Sequence, residues 1–593
     1  MYITKSLFVE YRKLAKLAWR KKHDPDVYKK IRKLETEEQE QHILQIGMAV
    51  ESAVVEFFEK RYGKKAFDLM PGLQQPVKEN PDDPEDEDHY LADTTFDPEQ
   101  LMQNTLQAIK DKEAILYQPT FLIDNCLVRW DVMARNDDGS YTLCEIKAKT
   151  SVRKNVTDDW EKKAIWEINK DLIDDMSFQK RVINRVLEQE WLPLIEKVEL
   201  RHLNKSYIKD GELSLNLLLT SQEADKQKTI SVYQRNKQTE KVIDDTLLTW
   251  VEIDPIVQQM KKTLVMSEEE FNKLAPRSGT KFLEYFGQAR TDVYGTVMWS
   301  GIHHSNASLI QDLYYEWTHK ITELSDDEID MFNSNGQRFI SLYLEAKEKK
   351  WPVLDYSKIQ EEFANFQYPI CFYDYESVSL PIPFMDKTFP YQQVVVQYSL
   401  HKLYKDWTMK HYGWVFVKEW EKNIEQIELP DNEYKVWYES EKVVTGQYSD
   451  LLEEFLKDIW DDIDTSTFVV RHKGFENTRN KEIAELFPQL SDYLKINDAT
   501  YDLRDIFSKL YYFDNWFKGS SSIKKVLPVL VPSMNYGDIL DEVVNWWVAM
   551  VRLKEMIEWS IEDRSDMTIK LLRYCGLDSL AMVRIYQEIM NQM

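Results

Sequence analysis

Cysteine is scarce: Cys126, Cys144, Cys371 and Cys575 are the only four in 593 residues. They are scattered, with no CxxC and no close Cys/His cluster, so neither a disulfide framework nor a zinc site is indicated. Long apolar runs are also missing. No stretch reaches about 18 apolar residues, so no transmembrane helix and no membrane partner are expected. The opening MYITKSLFVEYRKLAKLAWRKKHDP has no apolar core and no small-residue cleavage site, and does not read as a secretory signal. A cytoplasmic protein is the simplest expectation. Internal repeats are lacking. So is an excess of basic residues: 76 Lys and Arg stand against 102 Asp and Glu, a net charge of −26. A protein that holds nucleic acid by a broad positive field should be basic. Part of the acid is local, in PDDPEDEDH at 81–89, which reads as a solvated loop. Clustered carboxylates also suit bound cations, which invert the local field.

The length calls for two or three domains. Residues 1–65 read as helices, with Ile43, Ile46, Val50, Val54, Phe57 and Phe58 near the helical period. Residues 75–95 form a polar, Pro-rich excursion. From 121 the pattern turns to strands, FLIDNCLVRWDVMAR and YTLCEIKAKT, then to a helix over 157–190. VELRHLNKSYI (198–208) and LSLNLLLT (213–220) read as further strands, and 240–365 as mostly helical. At Tyr368 a second α/β pattern begins, with ICFYDYESV, YQQVVVQYSLHKL and TFVVRH as strands, and helices dominate from 476 to the end.

Between the first two strands, Asn136-Asp137-Asp138-Gly139-Ser140 is a hairpin turn. With a three-residue loop, Gly139 takes the left-handed position and Asn136 faces Ser140. Counting outward, Asp131 then faces Glu145, and Lys147 projects from the same side. A two-residue loop would instead put the carboxylates on opposite faces. Facing carboxylates repel unless a hard divalent cation lies between them. Such an ion would polarise a phosphate and acidify a water, with Lys147 positioning that water or stabilising charge on phosphorus. An ordinary surface hairpin with a Glu–Lys face is the alternative. WDVMA and CEIKAKT, within residues 1–225, resemble the RecB-like branch of the PD-(D/E)xK nucleases. The resemblance implies a carboxylate or histidine on a preceding helix, for which Glu51 in GMAVESAVVEFF is the candidate, and a glutamine on the following helix, Gln179 in DDMSFQKRVI. His42 reads as structural or exposed. Some relatives carry an iron–sulfur cluster, which the cysteine spacing here does not support.

In FYDYESV, Asp374 and Glu376 are two apart on a strand and face one side, at what reads as a half-buried surface. Buried carboxylates need partners. Glu476 follows TFVVRH at a strand-to-helix transition, and Tyr574 and Asp578 are four apart on a late helix. This order resembles the DEDD exonucleases of the ribonuclease H-like fold, in the subgroup with a tyrosine in the last motif. It implies two divalent ions on four carboxylates, a tyrosine hydroxyl orienting the water, and removal of nucleotides from 3′ ends. Glu476 departs from the pattern, which has Asp there, and His472-Lys473 replaces a Tyr-Asn pair. YDYESVSLPIPF, PYQQVVVQYSLH, FENTRNKEIAELFP, GSSSIKKVLPVL and YCGLDSLAMV, over about 366–590, are similar to an uncharacterised bacterial domain family that joins a RecB-like region to a DEDD-like one. Asp502 reads as a helix cap. GSSSIKK (519–525) could offer backbone N–H groups and Lys524 or Lys525 to a phosphate, or simply cap a helix. Trp516, Trp546 and Trp547 fit either base stacking or core.

The expectation is therefore a multidomain α/β chain: a PD-(D/E)xK domain (1–225), a helical connector (226–365) and a ribonuclease H-like DEDD domain (366–593). It would be a Mg²⁺- or Mn²⁺-dependent nuclease, DNA favoured, in end processing, repair or defence, without an iron–sulfur cluster. The alternatives are a degenerate scaffold that binds nucleic acid or a partner protein, and an RNA exonuclease using only the C-terminal site.

Overall fold

The turn at Asn136–Ser140 sets the register of the first sheet. Asn136 N–H donates to the Ser140 carbonyl at 2.7 Å, Gly139 N–H donates to the Asn136 carbonyl at 3.0 Å, and Gly139 has φ +88°. A side chain there would be strained and would also press on the Arg135 guanidinium. The strands then pair Arg135 with Tyr141 and Val132 with Cys144, the register of a three-residue loop.

The computed structural model describes residues 2–32, 37–69, 97–155, 166–224, 227–234, 237–272, 294–297, 299, 313, 320–416, 438–444, 448–534, 549, 552–553 and 561–593. The acidic run 81–89, the His42 side chain, Trp546 and Trp547 lie outside them. No described helix is long and apolar enough to cross a membrane. By contacts the chain divides into two units. One comprises Met1–Arg277, Glu284–Gly287 and Leu380–Tyr391; the other comprises Ser278–Leu283, Gln288–Ser379 and Gln392–Met593. The division thus falls inside the middle region, which is mainly helical where described (Trp250–Thr263, Ser334–Lys349, Tyr356–Phe363).

The first unit is built on a mixed sheet in chain order: β1 (Phe67–Asp68), β2 (Ile115–Tyr117), β3 (Val132–Arg135), β4 (Tyr141–Lys147), β5 (Lys197–Leu203) and β6 (Leu219–Glu223). Strands β2, β3 and β4 are antiparallel neighbours, with the hairpin Thr120–Ile123/Cys126–Arg129 inserted between β2 and β3; β5 runs parallel to β4, so the chain must cross over between them. Two buried clusters show how alternation sorts the side chains. Ile115, Val132, Cys144 and Ile146 pack with Val54 and Phe58 of α2, which follows α1 (Lys5–Lys13) and spans Glu37–Tyr62. Leu116, Met133 and Leu143 face the other way, toward Phe8 of α1 and Phe178 of α3 (Lys170–Gln189). Phe8 and Phe178 stack at 4.7 Å. Each such burial contributes about 1.5–3 kcal/mol. Glu145 and Lys147 share the α1/α3 face with Leu143, because they are two and four residues further on.

Three segments differ from expectation. Trp166–Ile168, within the run expected to be helical, is a strand paired with Arg153–Asn155, and the helix begins only at Lys170, after the Asn169 cap. Leu215–Leu218 is a short helix and the strand starts only at Leu219, since a continuous apolar run does not distinguish the two states. Gln227–Gln234 and Lys237–Asp244 form a hairpin inside the expected connector; their polar sequence shows no clear apolar face.

The second unit has the strands β7 (Ile370–Ser379), β8 (Gln393–Leu403), β9 (Met409–Phe416), β10 (Tyr438–Val444), β11 (Phe468–Val470) and β12 (Thr500–Asp502), ordered β10-β9-β8-β7-β11-β12. Strands β7, β8 and β9 are antiparallel neighbours, while β11 and β12 are parallel to β7 and to each other. The sheet is covered on both faces, so Ile370–Val378 is buried throughout rather than half-buried as expected. Tyr373 and Tyr375 meet Phe455 of the helix Tyr448–Ile459. The alternate residues, Asp374 and Glu376, face the long C-terminal helix, which follows α4 (Lys473–Leu486) and α5 (Ile523–Leu530) as α6 (Ile561–Gln592). A bulge between Glu376 and Ser377 re-aims this end of β7.

Helix α6 is pinned to the sheet by polar contacts. Gln397 Nε2 donates to the Leu571 carbonyl at 2.8 Å. Ser579 Oγ contacts Ser399 Oγ at 2.6 Å and His401 Nδ1 at 2.8 Å, and the His401 and His411 rings stack at 4.2 Å. Burial lowers the His411 pKa to about 3 and takes His401 down too. Both are neutral in the fold but titrate near 6.5 when unfolded, so their contribution is complete above about pH 6.5 and is lost as pH falls toward 3. Replacing His411 with glutamine should flatten the loss of Tm between about pH 6.5 and 4.5. Identical slopes in thermal melts of both proteins would refute this origin of acid lability.

Candidate functional site

Two groups of carboxylates stand out, one in each unit. In the first, Asp131 is the next residue out from the Val132–Cys144 pair, and its Oδ2 accepts the Ile146 N–H at 2.7 Å. Glu145 is wholly buried. Its Oε1 accepts from Lys147 Nζ at 2.6 Å and from Lys5 Nζ at 3.2 Å; Lys5 also lies 4.0 Å from Asp131. Gln179 Nε2 donates to Glu145 Oε2 at 3.3 Å and to Asp175 Oδ1 at 2.8 Å, and Lys147 reaches Asp175 Oδ2 at 3.3 Å. Glu51, on α2, accepts from Tyr117 Oη at 3.0 Å and from Gln118 Nε2 at 3.2 Å, close enough for its charge to act on Asp131. The fold thus brings Glu51, Asp131, Glu145, Lys147 and Gln179 to one neighbourhood.

Two members escaped the sequence reading. Lys5 carried no local signal, being 140 residues from Glu145. Asp175 was visible one helical turn before Gln179, in the same DDMSFQ segment. Burial and then the Glu145 charge push the Asp131 carboxyl up to about 7, partly offset by Lys5. Burial would also raise Glu145, but Lys147 and then Lys5 outweigh it and hold that carboxyl at about 2.

In the second unit, β7 supplies Asp374 and Glu376, the first turn of α4 supplies Glu476, and α6 supplies Asp578; all four are buried. His472 caps α4, taking the Phe475 N–H on Nδ1 at 3.0 Å, while Asp502 accepts the Lys473 N–H at 3.0 Å. Asp374, Glu376 and Glu476 line a cavity of about 720 Å³ together with Arg471, Arg504, Lys524 and Ser520–Ser522. Burial and then the Asp578 charge push Asp374 up to about 7, with Arg471 opposing. Burial and then Asp374 push both Glu376 and Glu476 well above the usual carboxylate range. Oε2 of Glu376 and Oε2 of Glu476 are buried without a hydrogen-bond donor among the described residues. Buried carboxyl oxygens that lack donors fit a divalent cation as partner, whose charge would hold them ionised.

Asp374, Glu376 and Cys575 could hold a metal ion: their ligand atoms all lie within 4.8 Å of one another. Cys575 was missed, although it sits three residues before Asp578 on α6 and so shares its face. Arg471 was missed as well; its guanidinium lies 3.9 Å from Asp578. Tyr574 is buried, with the Lys524 ammonium 5.4 Å from its ring centre. Lys525 and Trp516 are exposed.

Comparison with known proteins adds one likeness, limited to part of the chain. Neither the curated proteins nor the solved structures include a match. Residues 371–522, which carry Asp374, Glu376 and Glu476 but stop short of Tyr574, Cys575 and Asp578, match the model of a family described as "Domain of unknown function (DUF2779)".

Proposed function

We propose that the protein is a metal-dependent nuclease that hydrolyses phosphodiester bonds, with DNA as the favoured substrate. The observation that carries this is the group of buried carboxylates: Asp374, Glu376 and Glu476 line a cavity that they share with Arg471, Arg504, Lys524 and Ser520–Ser522, and Asp578 lies 3.9 Å from the Arg471 guanidinium. A DEDD-type, ribonuclease H-like reading is supported by the central placement of β7 between antiparallel and parallel neighbours. A RecB-like PD-(D/E)xK reading of the first unit is supported by the antiparallel strands, crossover helix and parallel strand around Asp131, Glu145, Lys147 and Gln179.

Asp374, Glu376, Glu476 and Asp578 would hold the cation in one site, and Asp131 and Glu145, with Glu51 beyond them, in the other. A bound divalent ion supplies an acidified water and a polarised phosphate. The protein's own groups do the rest. Arg471 and Lys524 face the carboxylates and would hold the phosphate oxygens of the strand. Lys147 keeps its proton against burial because Glu145 and Asp175 surround it, so it acts as a fixed positive charge rather than a base. Gln179 orients Glu145. Tyr574, one helical turn before Asp578 on α6, would orient the attacking water.

The test is cleavage of end-labelled single- and double-stranded DNA and RNA with Mn²⁺. Lys147→Ala and Asp374→Ala are expected each to remove part of the activity and together all of it. Full activity in the double variant would overturn the proposal. A second reading, that the first unit only binds, is favoured by Lys5, whose ammonium already serves the pair of carboxylates.

A further inference from the structure

Helix α6 brings a thiol to the carboxylate cluster of the second unit. Cys575 is fully buried, and its Sγ lies within 4.8 Å of a carboxylate oxygen from Asp374 and from Glu376. The Oε2 of Glu376, buried and without a donor among the described residues, belongs to a side chain that lines the cavity. Among the described residues the thiol makes one weak hydrogen-bond contact, 3.8 Å to the Asp374 carbonyl. A buried thiol that merely filled space would sit among apolar groups, whereas this one shares its surroundings with two buried carboxyl groups that a cation would satisfy.

We propose that Cys575 is a thiolate ligand of the metal held by Asp374 and Glu376, so that the centre prefers Zn²⁺, Co²⁺ or Fe²⁺ to Mg²⁺. The inference rests on reading this centre as a metal site and names the ion class it takes. Mg²⁺ is hard, demands oxygen ligands and dehydrates reluctantly, so sulfur adds nothing to its binding. Thiolate sulfur is soft and shifts affinity toward later, more polarisable ions. On binding, the S–H bond breaks, its proton passes to solvent and an S–metal bond of about 2.3 Å forms, with no change of oxidation state. The other three cysteines are buried away from any such cluster among the described residues and serve as internal controls.

The test is titration of the full chain with Co²⁺, read by the near-ultraviolet thiolate-to-cobalt charge-transfer band, with Zn²⁺, Mn²⁺ and Mg²⁺ affinities from calorimetry. The wild type should show the band. Cys575→Ala and the closer-sized Cys575→Ser should lose it and bind Zn²⁺ about ten-fold or more weakly, with Mn²⁺ affinity changed only a few-fold. Glu376→Gln, which keeps the thiol, should weaken the band as well. Absence of the band at calorimetric saturation with Co²⁺, or equal Zn²⁺ affinity in the wild type and both Cys575 variants, would overturn the assignment. If the chain then still cleaves DNA with Mn²⁺, the nuclease reading stands without the thiolate. If no divalent ion binds, both fall.

Discussion

Asp374→Asn is expected to abolish hydrolysis at the C-terminal site while stabilising the metal-free protein at about pH 8. Both effects have one cause. Asp374 is buried among Glu376, Glu476 and Asp578, with Arg471 as the nearby opposing charge. Its carboxyl stands at about 7 in the fold, raised first by burial and then by Asp578. In the unfolded chain it titrates near 3.9, so the fold holds the proton more tightly. Stability from this group is therefore complete below about pH 4 and is lost as pH rises toward 7, a cost on the order of a few kcal/mol. Asparagine keeps the shape and carries no charge, so the gain should appear at about pH 8 in chelator and vanish near pH 4. Activity moves the other way. Losing a ligand that positions the ion should lower single-turnover cleavage about a thousand-fold or more, measured in a Lys147→Ala background to silence the other site. If Asp374→Asn instead melts lower than wild type at about pH 8 in chelator, Arg471 already satisfies the carboxylate and no cation from solution is needed.

The shared face of Asp374 and Glu376 is legible in sequence because strand alternation is strictly local. Asp374 and Glu376 had to share a face, and Tyr574, Cys575 and Asp578 had to share a helix. The register that sets Asp131 against Glu145 was equally legible, since Gly139 fixes the loop and the loop fixes the pairs. What escaped was whatever depends on a second element arriving. Lys5 meets Glu145 only because α1 packs through Phe8 on Phe178 of α3, and nothing in ITKSLF announces that packing. The full burial of β7 depends likewise on helices covering both of its faces, which no ten-residue window contains. Cys575 differs from these: it stands in plain view within YCGLD, but the spacing between cysteines says nothing of its nearness to Asp374 and Glu376, two hundred residues earlier in the chain.

Lys5→Met carries the second large expectation, in the other unit. Lys5 and Lys147 both donate to Glu145 Oε1, and together they hold that buried carboxylate ionised. Removing one partner from a buried charge costs about 3–5 kcal/mol, but Lys5 is a third exposed, which brings the expected loss to about 2 kcal/mol. The pH dependence follows from the direction of the Glu145 shift. Its carboxyl lies near 2 in the fold and near 4.3 unfolded, so its contribution is present above about pH 4.3 and is lost as pH falls toward 2. Without Lys5 that carboxyl should rise and the acid limb of the melt should begin at higher pH. A divalent ion would supply the charge that methionine lacks. At about one hundred times its Kd, Mn²⁺ should return about 2.7 kcal/mol to the variant, roughly cancelling the loss. The same ion should add less to the wild type at this site, because there it must first displace the Lys5 ammonium from Glu145. To isolate the effect, the comparison is made in an Asp374→Asn background, where the other carboxylate group no longer gathers the ion. If Mn²⁺ raises the Tm of neither protein in that background, the cluster of Asp131, Glu145, Lys147 and Lys5 is an ion-pair network that locks α1 onto the sheet.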